Sequence, residues 1–162
     1  NCPIIFVVEN NLFSSHLNIN LRQPKELTHR FAKSNDIESR VLDGNNLTYI
    51  CKTAEEFIER CKKGEGPFFI EAITYRWLGH VDWREDIDVG IRRSSEDLNF
   101  WKRRDPILRL KKSLSNKYNF TTDEFKNLNY GIQKKIDNAW DNALKDPSPE
   151  WSETIKYVYK HT

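Results

Sequence analysis

Two polar clusters in this chain carry side chains able to do chemistry, and each directly follows an apolar run. Glu9-Asn10-Asn11 follows Pro3-Ile4-Ile5-Phe6-Val7-Val8, and Arg76-Trp77-Leu78-Gly79-His80 follows the run from Phe68 to Tyr75. An Asn amide oxygen is the kind of neutral, hard donor that Mg²⁺ or Ca²⁺ accepts. Arg76 offers a fixed fork to phosphate oxygens, and His80 a donor that charges near neutral pH. A metal ligand at one strand end and two cations at another describe a site for a magnesium-bound diphosphate. Each residue has a plainer reading too. Asn-Asn after a strand makes a turn, a His after Gly decorates a surface, and Arg76 can pair with a nearby carboxylate.

The elements that would position these groups are legible in the pattern. The run Pro3 to Val8 lacks polar alternation, which predicts a strand buried on both faces, as in a parallel sheet covered by helices. Residues from about Pro24 to Ser34 predict a short helix through Leu27, Phe31 and Ala32, and Ser39-Arg40-Val41-Leu42 a second strand closed by Asp43-Gly44-Asn45-Asn46. Leu47, Ile50, Cys51, Ala54, Phe57, Ile58 and Cys61 trace one helical stripe. Asn45 or Asn46 caps its start, and Gly64-Glu65-Gly66-Pro67 ends it. Phe68 to Tyr75 is the third strand. This alternation predicts right-handed βαβ crossovers, and in such sheets ligands bind beyond the carboxyl ends of the strands.

After Arg76 the chain changes character. Residues 77–96 are charge-dense and read as an ordered loop or flexible flap. Asp105-Pro106 then caps a helix carrying Ile107, Leu110 and Leu114 on one face. Thr121-x-x-Glu124 is a capping box for a longer one through Phe125, Leu128, Ile132, Ile136, Ala139 and Ala143. Asp146-Pro147-Ser148-Pro149 breaks it, and Ile155, Val158 and Tyr159 suit a last short element. The expected class is α/β with a parallel sheet and a helical C-terminal tail. Its parts are an α/β region over 1–80, an active-site loop over 81–100 and a helical region over 101–162.

Composition narrows the function. The 162 residues hold 26 Lys+Arg against 24 Asp+Glu, without the single-sign excess of a nucleic-acid binder. Local pairs such as Arg92-Arg93 and Lys111-Lys112 are the whole support for that class. No run approaches the roughly 18 apolar residues of a membrane span. Cys2, Cys51 and Cys61 fit neither a CxxC nor a Cys/His metal spacing and read as reduced core thiols of a cytosol-like compartment. Met is absent and residue 1 is Asn, so the chain reads as the later part of a longer protein whose targeting information lies upstream.

Four segments in register carry a resemblance: Ile4 to Asn11, Val41 to Asn46, Gly64 to His80 and Trp101 to Ile107. Together they closely resemble the later half of the α subunit of thiamine-diphosphate-dependent 2-oxo acid dehydrogenases. This is the E1 component family, which includes the pyruvate, branched-chain and acetoin enzymes, and the likeness covers nearly the whole chain. It implies the later half of a thiamine-diphosphate-binding fold, with thiamine diphosphate and Mg²⁺ as cofactors. The family's motif opens with Gly-Asp-Gly and closes with Asn-Asn; only the closing half is present. By resemblance, the Asn11 side chain and the Phe13 backbone carbonyl are Mg²⁺ ligands, the Gly-Asp-Gly carboxylate lies upstream of residue 1, and Glu9 supports the loop.

Arg76 and His80 match the family's Tyr-Arg-x-x-Gly-His segment. The resemblance implies that both approach the diphosphate and the substrate-side face of the cofactor. His80 then stabilises charge or shuttles a proton during reductive acyl transfer to a lipoyl group. In well-known mitochondrial members a phosphorylated Ser follows this His. Here Val81 follows, which has no hydroxyl to modify, and the loop from Asp82 to Gly90 is also unlike theirs.

The implied function is part of an E1 α subunit that decarboxylates a 2-oxo acid and passes the acyl group to lipoamide. The implied partners are an E1 β subunit, in a heterotetramer of two α and two β chains, and a lipoyl-bearing E2 acyltransferase. Neither nucleic acid nor a membrane is expected. The fragment alone is expected to be inactive. Alternatives are an acetoin-cleaving dehydrogenase α subunit, or a non-catalytic interaction domain whose site has decayed and whose helical tail is an assembly surface. The expected location is cytoplasmic on a bacterial reading, with the mitochondrial matrix open because targeting lies upstream.

Overall fold

A computed structural model describes residues 1–81, 83–85, 87–88, 91–153 and 156, with backbone alone at 87, 88 and 91. Asp82, Asp86, Val89 and Gly90 of the expected loop, and Ile155, Val158 and Tyr159 of the expected last element, lie outside the described residues. The chain forms two compact units, Asn1–Asn116 and Lys117–Thr162.

The first unit is built on a three-stranded parallel sheet. Strands β1 (Ile5–Asn10), β4 (Glu38–Asp43) and β5 (Phe68–Ile73) lie in the order β1-β5-β4. Between the first two in sequence come a small hairpin, β2 (Phe13–Ser14) with β3 (Leu17–Asn18), and two short helices, α1 (Ile19–Arg22) and α2 (His29–Lys33). Helix α3 (Leu47–Lys62) makes the crossover from β4 to β5. The fold is therefore α/β with a parallel sheet. Asn46 sets the start of α3, its side chain accepting from the Tyr49 N–H. The α3 stripe docks on the sheet: Phe57 stacks on Phe68 at 4.4 Å between ring centres, over Leu42 and Ile70. Gly44 cannot be anything larger. Its N–H donates to the Ile73 carbonyl at 2.8 Å, and a Cβ there would stand 2.8 Å from that same oxygen.

Three expectations need correction. Strand β1 is not buried on both faces: Phe6 and Val7, which point to opposite faces, are 46% and 60% exposed, and β1 is an edge strand of this sheet. The helix expected over 24–34 is confined to α2. Pro24 has no N–H to give, and the Glu71 carboxylate takes the N–H groups of Thr28 and His29, which fixes where the helix begins. The cysteines are free, but Cys2 and Cys51 are exposed, and only Cys61 packs against the core. Cys51 falls on the outer edge of the α3 stripe.

Beyond β5 the chain forms a second small core. Two-residue strands β6 (Ile87–Asp88) and β7 (Ile91–Arg92) pair antiparallel, and Ser94 caps helix α4 (Ser95–Lys102) by accepting from the Asp97 N–H. Leu98 and Trp101 of α4 pack with Tyr75, the Trp101 ring stacking on Tyr75 at 5.8 Å. Helix α5 (Pro106–Tyr118) begins where Asp105 accepts from the N–H groups of Ile107 and Leu108. In the second unit, Thr121 and Glu124 form both halves of the capping box of α6 (Thr122–Lys145), which stops before Asp146-Pro147. The α6 stripe is helical as expected, yet Leu128, Ile132, Ile136 and Trp140 are all exposed. No described helix is long and apolar enough to cross a membrane.

Candidate functional site

The parallel register fixes which residues share the carboxyl edge of the sheet. Asn10 and Asp43 both lie opposite Ile73, so Asn11, Gly44 and Thr74 leave the sheet at one level. On the β4 side that level is closed. Asp43 binds Arg104 and Arg109 at 2.8 and 2.9 Å, and Asn45 accepts from the Thr74 hydroxyl and donates to the Arg104 carbonyl. Burial works to raise the Asp43 carboxyl, but Arg109, the Asn45 N–H and Arg104 outweigh it and hold it below its ordinary value.

On the β1 side the level is a turn. Asn11 Oδ1 accepts from the Phe13 N–H at 3.0 Å, and Asn10 Oδ1 from the Leu12 N–H at 3.1 Å. Two consecutive Asn side chains thus grip the same stretch of backbone. Leu12, directly after them, sits at φ +66°, a region that favours Gly or Asn. Its carbonyl accepts from the Ile19 N–H, tying the turn to α1. The Phe13 ring stands edge-on to Tyr75 at 5.8 Å. A cavity of about 230 Å³ lies against the turn, its lining including Leu12, Phe13, Tyr75 and Trp101 together with the acids Glu26 and Asp97.

Arg76 leaves the end of β5 and reaches the hairpin that follows this turn. Its Nη2 donates to the Ser15 carbonyl at 2.8 Å and its Nε to the Leu78 carbonyl at 3.0 Å. The structure therefore brings Asn11, Phe13 and Arg76 into one neighbourhood, through the β1–β5 register and the Arg76–Ser15 bond. His80 lies further along, exposed. A surface cavity of about 640 Å³, lined by residues between Asn20 and Lys33, touches none of the four.

Among the described residues no group of three His, Cys, Asp or Glu could hold a metal ion. What the turn offers instead is neutral oxygen: an amide and main-chain carbonyls, the donor types a hard cation takes.

A family model described as Dehydrogenase E1 component matches residues 1–152. The chain belongs to the dehydrogenase E1 component family. It is 30% identical over 157 residues to the pyruvate dehydrogenase E1 component subunit alpha of Porphyra purpurea, covering 97% of this chain and 44% of that one. It is 32% identical over 164 residues to the chloroplastic pyruvate dehydrogenase E1 component subunit alpha-3 of Oryza sativa subsp. japonica, covering 97% and 36%. Against the corresponding subunit of Rhizobium meliloti (strain 1021) the identity is 28%, covering 93% and 42%. The chain thus spans less than half the length of these relatives.

The sequence does not disclose the roles of three buried groups in this E1-family chain. Glu71 is fully buried in the middle of β5, where it accepts from Asn10 Nδ2 at 2.7 Å and from the N–H groups of Thr28 and His29. Burial works to raise its carboxyl, but these donors prevail and hold it below the ordinary value. Asn10, also buried, is the turn's internal brace. Arg93 is buried beside the Tyr75 ring and donates to the carbonyls of Arg76, Trp77 and Glu85, pinning the segment that carries His80. A charge inside Phe68-Phe69-Ile70-Glu71-Ala72-Ile73 was a readable signal for Glu71. Nothing in the Arg92-Arg93 pair says which of the two turns inward.

Proposed function

We propose that this chain supplies the metal- and diphosphate-facing edge of an E1 α subunit, in an enzyme that decarboxylates a 2-oxo acid and passes the acyl group to lipoamide. The observation that carries the reading is the Asn10–Asn11 turn at the carboxyl end of β1, with Arg76 joined to the hairpin that follows it. The relatives, pyruvate dehydrogenase subunits, favour pyruvate as the acid.

In this reading Asn11 Oδ1 and the Phe13 carbonyl hold Mg²⁺. An amide oxygen that already accepts one N–H keeps a second lone pair for a cation. Two neutral oxygens are a fraction of the six that Mg²⁺ requires, so the remainder comes from water, the diphosphate and chain outside these residues. Thiamine diphosphate, when bound, supplies the carbanion chemistry. Arg76, anchored by two carbonyls, presents positive charge to the diphosphate, and His80 holds or moves a proton on the substrate side. Arg93 fixes the backbone between them.

The partners in this reading are an E1 β subunit, in a heterotetramer, and a lipoyl-bearing E2. The unburied α6 stripe is a surface for such assembly. Free thiols suit a reducing compartment, either cytoplasm or mitochondrial matrix. The fragment alone is inactive, since one edge of the site is all it holds. Calorimetry with thiamine diphosphate and Mg²⁺ tests this. Full-length protein with its partner binds, and the isolated fragment does not; tight binding by the fragment contradicts the reading.

A further inference from the structure

Asn10 is over nine-tenths buried, and each of its polar atoms has a partner. Nδ2 donates to the Glu26 carbonyl at 3.0 Å and to Glu71 Oε1 at 2.7 Å, while Oδ1 accepts from the Leu12 N–H. An ionised carboxylate only accepts. The Asn10 atom facing Glu71 must therefore be nitrogen, which turns the Asn10 oxygen to the Leu12 N–H. Leu12 is held at φ +66°, where a side chain is disfavoured, so this peptide needs an external hold. The next peptide N–H is the one that Asn11 Oδ1 accepts.

We infer that Glu71 is a positioning residue for the metal edge: it fixes the orientation of the Asn10 amide, and through Asn10 the turn that presents Asn11 Oδ1 and the Phe13 carbonyl. This rests on the proposed role of those two oxygens. Glu71 touches neither of them.

A purely structural role is separable in part, because one Glu71 oxygen takes the His29 N–H and the other takes Asn10. Oε2 accepts from the N–H groups of both Thr28 and His29, whereas Oε1 accepts from Asn10 Nδ2 and shares the Thr28 N–H at 2.8 Å. In Glu71→Gln the remaining oxygen can keep the Oε2 position, and the new amide nitrogen then confronts Asn10 Nδ2 and the Thr28 N–H, which keeps its Oε2 bond alone. Asn10 must flip, which turns a donor on the Leu12 N–H. Adding Asn10→Asp restores an acceptor to each: one carboxylate oxygen for the new amide at position 71, the other for Leu12. The Glu26 carbonyl then loses its donor and meets a carboxylate oxygen, and the amide at position 71 still faces the Thr28 N–H.

The experiment measures Mn²⁺ affinity by electron paramagnetic resonance, with thiamine diphosphate, on the full-length subunit assembled with its partner. Glu71→Gln is expected to weaken Mn²⁺ about 10–100-fold, the usual effect of losing a group that orients a metal ligand. Asn10→Asp/Glu71→Gln is expected to recover a large part of that loss. Unchanged Mn²⁺ affinity in Glu71→Gln, or a double variant no better than the single, overturns the inference. Should Glu71→Gln not fold, Asn10→Ala carries the same measurement, since it leaves Glu71 with Thr28 and His29. Weakened Mn²⁺ there supports the inference, and unchanged Mn²⁺ overturns it. Asn11→Ala is read in parallel. If it leaves Mn²⁺ affinity unchanged, the site reading falls and takes the inference with it; if it weakens binding while Glu71→Gln does not, the inference alone falls.

Discussion

Asn10 Nδ2 stands 2.7 Å from Glu71 Oε1 across two neighbouring parallel strands. Val8 is the register partner of Glu71, and Asn10 lies opposite Ile73, so the contact is diagonal on one face of the sheet. A central strand thus reaches sideways to hold the turn at the end of the edge strand. The same carboxylate receives the first N–H groups of α2. One buried charge therefore links three elements, and its protonation state has consequences for the whole first unit.

The sign of that consequence follows from the lowered Glu71 value. A carboxyl whose folded value lies below its unfolded one stabilises the fold fully above the ordinary value of 4.5 and loses that contribution as pH falls below it. Urea midpoints of wild type and Glu71→Gln, compared from neutral pH downward, are expected to differ most near neutrality and to converge in acid. A constant gap across that range contradicts the assignment.

Phe57 is wholly buried and stacks on Phe68, which joins α3 to the sheet. Phe57→Ala is expected to cost about 3–5 kcal/mol, from lost burial plus the cavity it leaves. Chemical denaturation checks this; a cost below about 1 kcal/mol would mean that the site collapses freely.

Gly44→Ala places a methyl against main-chain carbonyl oxygen, which cannot move aside as a side-chain tip does. A loss of at least about 1 kcal/mol is expected, with faster hydrogen exchange at the Gly44 amide that bonds Ile73. Wild-type protection there would show that the strand ends separate without penalty.

Thr121→Ala removes one half of the α6 capping box and is expected to cost about 1 kcal/mol in the second unit. Amide exchange in the first turn of α6 reads it locally. The first unit is expected to be unaffected.

Much of this architecture could be read before any coordinates, for identifiable reasons. Phe57 and Cys61 repeat at a helical interval, and the Asn46 cap and Gly64-Glu65-Gly66-Pro67 bracket α3, so pattern and punctuation agree. The Thr121 and Glu124 box was equally plain, since its two halves are local. What failed was long-range. The extent of α2 is set by Glu71, 42 positions away from His29, and no local propensity contains that. The exposure of Phe6 and Val7 depends on where β1 falls in the sheet order, which an apolar run does not encode. At the candidate site, Asn11 and Arg76 stand out by type and by the strands they follow, and their roles there belong to the proposal. Asn10, beside the residue chosen, proved to be the brace, a distinction that only the partners of each amide reveal.

The most direct test of the central claim is an anomalous diffraction map of the full-length subunit with its partner, grown with Mn²⁺ and thiamine diphosphate. The account predicts one Mn²⁺ peak bridging Asn11 Oδ1 and the Phe13 carbonyl, with the Arg76 guanidinium facing the diphosphate. A peak coordinated by other residues, with the Asn10–Asn11 turn making no contact to metal or cofactor, would contradict it.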